Sequence, residues 1–146
     1  MPVLCSVTLC VIILFYSQRG IGLKVFKNAW FERFARTEKI SNDALWSAVE
    51  RAEKGQIDAD LGGGVIKQRI ARSGEGKSKG YRSIVLFRKG ESSFFVYGFS
   101  KSARGNIRGD EEDQFKKMAK HVLSLTEVQL SELVSNGQFE EVQKDG

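Results

Sequence analysis

Cysteine is confined to Cys5 and Cys10, so the chain has none after its first ten residues. No disulfide framework and no cysteine-based zinc site can exist in that body, which suits a reducing compartment. There is one histidine, His121, in a segment that reads as the last turn of a helix, where an ordinary cation is expected. With no histidine–carboxylate cluster, a metal nuclease centre is not expected. Nor does any motif place a histidine to activate Ser73, Ser78 or Ser83 as a nucleophile. Proline occurs once, at Pro2, while 41% of residues are apolar and 28% charged. That is not the composition of a disordered chain, and it suffices for one compact domain. No segment is repeated or of low complexity.

A long hydrophobic run is also missing. "VLCSVTLCVIILFY", Val3 to Tyr16, has fourteen residues, short of the about 20 a membrane helix needs. It lacks a cationic n-region and a small-x-small cleavage site before Arg19, and Leu9 precedes Cys10 where a lipoprotein signal wants a small residue. Residues 1–22 therefore read as an apolar N-terminal extension, either a mis-assigned start or a signal-like segment. Residues 23–146 read as a single domain, because charge, periodicity and turn signals all begin near Leu23. No stable membrane association is expected.

What the chain does have is a cationic middle. Between Lys67 and Arg108 stand eleven Lys or Arg against two acids, a net +9; residues 1–66 carry +1 and residues 109–146 carry −5. Charge so concentrated describes one basic surface, and a polyanion such as RNA or DNA is its natural partner.

Pattern then gives the organisation. "LKVFK" (Leu23–Lys27) reads as a short first strand. A helix follows, with Asn28 as N-cap and Trp30, Phe31 and Phe34 at helical spacing. A second helix is capped within Ser41–Asp43, lays Leu45, Ala48, Val49 and Ala52 on one face, and stops at Gly55. After Gly62–Gly64, "VIKQRIAR" alternates, with Ile66 and Ile70 on one side and Lys67 and Arg69 on the other. "YRSIVLFR" and "SFFVYGFSK" complete a three-strand antiparallel meander. Two helices close the chain. The first has acids Asp110–Asp113 at its start, and the second opens with the capping-box spacing Thr126 to Gln129. The fold class is α+β: two N-terminal helices against a small antiparallel sheet (the meander plus a short first strand), then C-terminal helices.

The glycine-rich turn "SGEGKS" (Ser73–Ser78) is not a nucleotide cradle. The first glycine of a Walker A motif would fall at Ala71, and strand rather than helix follows. Gly74, Gly76 and Gly80 are likewise spaced one residue too far for Gly-x-Gly-x-x-Gly.

The stretches "DADLGGGVIKQRIARSGEGKSKGYRSIVLFRKG" and "FFVYGFSKSARGNI" resemble the RelE/HigB-like toxins of type II toxin–antitoxin modules. More narrowly, they resemble a bacterial subgroup with an Ile-Lys-x-Arg strand, a Gly-Lys-Ser-x-Gly-Tyr-Arg turn, then Tyr-Gly-Phe-x-Lys and Asn-Ile. The likeness runs from about Leu23 to Val142. It implies a RelE-like fold and a cytoplasmic endoribonuclease that uses no metal or cofactor. Such a toxin enters the ribosomal A site and cuts mRNA by attack of a 2′-hydroxyl on the adjacent phosphate. A cognate antitoxin of the helix-turn-helix, HigA-like kind is the implied partner.

That chemistry needs a proton acceptor, cations for the phosphorane and an acid for the leaving oxygen. The resemblance assigns catalysis to Lys67, Arg69, Arg82, Lys101 and Tyr97, and leaves the general base between Lys67 and a tyrosine. Arg72, Lys77, Lys79, Tyr81 and Arg104 are expected to hold the RNA. Taken singly, each cation is more often a solvated strand residue, and Phe95 and Phe99 are expected in the core. The alternatives are a ParE-type gyrase inhibitor, a degenerate nucleic-acid-binding module, and a secreted or membrane-tethered protein that uses the N-terminal extension.

Overall fold

In the computed structural model, which describes residues 23–71 and 80–144, three of four helices begin at the cap their sequence announces. Strand β1 (Lys24–Asn28) runs directly into α1 (Ala29–Glu38), where the Asn28 side chain accepts from the Phe31 N–H at 2.8 Å. Ser41 caps α2 (Asn42–Glu53) through Ala44 N–H at 3.1 Å. Thr126 and Gln129 satisfy each other's backbone N–H groups at the start of α4 (Glu127–Ser135). Such caps each contribute about 1 kcal/mol by pairing donors that the first helical turn leaves free.

Between the helix pairs lie β2 (Ala59–Gly62), β3 (Val65–Ile70), β4 (Tyr81–Arg88) and β5 (Ser92–Ser100); α3 (Gly109–Val122) opens the second pair, and β6 (Phe139–Glu141) follows α4. The six strands form one sheet in the order β2-β3-β4-β5-β1-β6. β2 to β5 are an antiparallel meander, β1 runs parallel to β5, and β6 pairs antiparallel with β1. The α+β class, the helix pairs and the meander are as expected; β2 and β6 are additional strands, one at each edge.

Helices cover both faces. Phe31, Ala35, Leu45, Ala48, Val49 and Ala52 of α1 and α2 pack on Val25, Ile66, Ile70, Tyr81, Val85 and Phe95. On the other face, Phe115, Ala119 and Val122 of α3 and Leu130, Leu133 and Val134 of α4 meet Phe26, Val65, Ile84, Leu86, Phe94 and Val96. α3 lies over the Val65 end of the meander, where Lys116 and Leu123 approach Gly63 and Gly64. On this same face, no helix among the described residues covers the opposite end of β3 and β4, which holds Arg69 and Arg82.

Two features aim the residues of that open end. The first is Gln68, 1% exposed, whose Nε2 donates to Ala48 O (2.9 Å) and Gln56 O (3.0 Å) while its Oε1 accepts from Asp58 N–H (3.1 Å). Asp58 also accepts from Arg69 N–H at 2.6 Å, and Arg51 donates to Arg69 O. Both N–H donors and the oxygen of the amide are thus bonded, and β3 is tied to α2 with its odd-numbered residues facing away from that helix. The second is a β-bulge. Val85 pairs with Phe95 but Ile84 pairs with Tyr97, so Val96 is the extra residue. Strict alternation would put Phe95 and Tyr97 on one face; the bulge sends Phe95 toward α1 and turns Tyr97 to the face of Ile84.

Gly98 is where α1 comes closest to β5. A Cβ there would stand 2.6 Å from Phe34 Cε2 and 3.1 Å from Phe31 Cε2, and both rings are held in an aromatic cluster with Phe95 and Tyr81. Gly98→Ala is therefore expected to destabilise the fold by about 1–3 kcal/mol through overpacking, read as a lower urea midpoint. Among the described residues no helix is long and apolar enough to cross a membrane.

Candidate nucleic-acid interface

Register sets the site in two rows across three strands. Lys67 faces Ile84, which faces Tyr97; Arg69 faces Arg82, which faces Phe99. Residues directly opposite on one sheet face stand about 4.5–5.5 Å apart at Cβ, so Arg69 and Arg82 are neighbours. Both are half-buried. Neither guanidinium has a hydrogen bond or ion pair with a described residue, and Arg69 Nε is a buried donor with no partner among those residues.

The remaining groups come from the segment after β5. Lys67 Nζ donates to Asn106 Oδ1 at 2.9 Å, and the same oxygen accepts from Ile107 N–H at 2.9 Å. Arg104 Nη1 donates to the Tyr97 hydroxyl (2.9 Å) and to Glu111 Oε2 (3.0 Å), Nη2 donates to Glu111 Oε1, and Nε donates to Asn106 O (3.0 Å). The guanidinium also lies 5.8 Å from the ring centroids of Tyr97 and Phe99. The Tyr97 ring is held further by Trp30 at 4.5 Å and Phe115 at 5.8 Å.

Charge pairing here is strong enough to shift protonation. Hydrogen bonds from Arg104, and next from Arg108 N–H, hold the Glu111 carboxyl down to about 2 from its ordinary 4.5. The same pairing with Glu111, then Tyr97, raises Arg104 above its already high value. Since the Glu111 pKa is depressed in the folded state, its stabilising contribution is complete above about pH 4.5 and is lost as pH falls toward 2. Urea midpoints of the wild type and Glu111→Gln are therefore expected to differ by a constant amount above pH 5 and to converge between pH 4.5 and 2.

Of the residues expected from sequence, the structure brings Lys67, Arg69, Arg82, Tyr97 and Arg104 together. Lys101 is exposed on the turn that follows β5. Tyr81 does not join them: it is 4% exposed, sits on the face covered by α1 and α2 against Phe34, and donates its hydroxyl to Glu38 at 2.9 Å. Arg104, expected to grip RNA, spends most of its N–H groups inside the protein. Arg72, Lys77 and Lys79 lie outside the described residues. Asn106, Glu111, Trp30 and Gln68 were not singled out as site residues by sequence, because each looks like an ordinary loop, cap or core residue until the chain is folded.

The fold is a small α+β domain whose sheet sets two guanidiniums side by side, neither with a hydrogen-bond or ion-pair partner among the described residues. A family model described as "RelE toxin of RelE / RelB toxin-antitoxin system" matches residues 23–142. The chain belongs to this RelE toxin family, and an antitoxin is the partner that membership implies. No curated protein matches the chain.

Proposed function

We propose that the chain is a ribosome-dependent mRNA endoribonuclease toxin, cytoplasmic, neutralised by an antitoxin of the HigA-like helix-turn-helix kind, and independent of metal or cofactor. The observation that carries this reading is the Arg69–Arg82 pair. Like charges directly opposite on a sheet are destabilising. A phosphodiester bound across the two guanidiniums relieves that repulsion, each fork matching two phosphate oxygens.

With the phosphate there, the 2′-hydroxyl of the preceding ribose attacks phosphorus. The O2′–P bond forms, charge grows on the equatorial oxygens facing Arg69 and Arg82, and the P–O5′ bond breaks. The proton released from the 2′-oxygen and the proton needed by the 5′-oxygen fall to Lys67 and Tyr97, which flank Ile84 in the adjoining row. The Tyr97 hydroxyl already accepts from Arg104, which leaves its own O–H free to give; this favours Tyr97 as the donor. Lys101, with Arg72, Lys77 and Lys79 on sequence grounds, contributes charge toward the RNA backbone and the ribosome.

Primer extension on a reporter mRNA after brief induction tests the proposal. New 5′ ends inside translated codons, lost when translation of the reporter is blocked, are expected. Growth arrest without new ends would point to a target such as gyrase. Neither arrest nor cleavage would leave a nucleic-acid-binding relic as the better description.

A further inference from the structure

Glu111 is an acid at the rim of an anion-binding face, where a free carboxylate would weaken phosphate binding. As the third residue of α3 it accepts from Arg108 N–H at 2.9 Å, and helix capping alone explains that bond. It does not explain the two further bonds to Arg104. Arg104 is the junction of the site, since its other donors reach the Tyr97 hydroxyl and Asn106 O, and Asn106 receives Lys67. A two-pronged carboxylate–guanidinium pair fixes the plane and position of the guanidinium in a way a single hydrogen bond cannot.

Resting on the nuclease reading above, we propose that Glu111 is a positioning residue. Through Arg104 it sets the Tyr97 hydroxyl and the Asn106 that receives Lys67, without touching RNA itself. The carboxylate neutralises Arg104, so that cation is spent on geometry while Arg69 and Arg82 keep their charge for phosphate. Displacement of Tyr97 by about 1 Å is enough to cost about 10²-fold in rate.

Glu111→Gln isolates this role. Glutamine serves as well as glutamate at the third helical position of a capping box, so the start of α3 is retained. Its amide, however, turns a donor toward the guanidinium fork. The experiment uses the purified full chain with translating ribosomes on a defined mRNA, and measures kcat and KM for wild type, Glu111→Gln, Tyr97→Phe and the double variant. The expected result is a kcat about 10–100-fold lower for Glu111→Gln with KM unchanged. The double variant should retain about tenfold more activity than the product of the two single losses predicts. Arg104→Lys, which keeps one charge contact to Glu111 but cannot hold Tyr97 and Asn106 together, is expected to show the same loss and the same coupling. It replaces Glu111→Gln in the cycle if that variant does not fold. Losses that multiply, or an unchanged kcat, would overturn the proposal while leaving the nuclease reading intact. A wild-type chain that cuts nothing would bring down both.

Discussion

Arg82→Ala is expected to lower mRNA cleavage by about 10²–10³-fold, the usual effect of removing one preorganised donor from a developing charge. The fold should be unharmed. Arg82 is only half-buried and no ion pair or hydrogen bond with a described residue depends on it, so truncation strands no partner. It also removes the like charge opposite Arg69, so the melting temperature should hold or rise slightly. Single-turnover cleavage on translating ribosomes and a thermal melt of the same preparation measure the two effects together. Lys67→Ala should likewise lose cleavage rather than stability, since Asn106 Oδ1 keeps its bond from Ile107 N–H when the lysine is gone. A large fall in stability with modest loss of cleavage would place these cations among sheet-packing residues.

The opposite behaviour is expected of Phe95. It is 0% exposed, lies under α1 with its ring 5.1 Å from Phe31, and belongs to the cluster that joins both N-terminal helices to the sheet. Phe95→Ala should cost about 3–5 kcal/mol, from lost transfer energy and the cavity left behind. That is a large share of the about 5–15 kcal/mol a domain has. Urea denaturation should show a reduced midpoint with little change in slope. Phe95→Leu, which keeps much of the volume, should recover more than half of the loss. Phe95 and Arg82 stand on opposite faces of one sheet, so stability and cleavage are separable by mutation.

That separation was partly legible in the chain. The alternation of "VIKQRIAR" placed Lys67 and Arg69 together and Ile66 and Ile70 behind them, and the sheet has that arrangement. Asn28, Ser41 and Thr126 announced their helices because capping is local chemistry. The same alternation should have parted Tyr81 from Arg82, which are consecutive on β4; only one of them can face an RNA. Tyr97 was harder. Its face depends on the bulge at Val96, which no short-range pattern announces. β2 and β6 have four and three residues, too few for a period, and exist by pairing with distant partners. Glu111 read as one of several acids at a helix start, and only the fold brings Arg104 onto it. Local rules expose caps and strand faces; the site's wiring is non-local.

The chemistry of the cut ends decides whether the 2′-hydroxyl is the nucleophile. Defined mRNA on translating ribosomes would be cleaved by the purified chain, and the fragment termini identified by enzymatic end-labelling and mass spectrometry. A 2′,3′-cyclic phosphate on the upstream fragment and a 5′-hydroxyl on the downstream one are expected, the ends that attack by the 2′-hydroxyl leaves. A 3′-hydroxyl with a 5′-phosphate, the ends left by an activated water, would contradict the proposal.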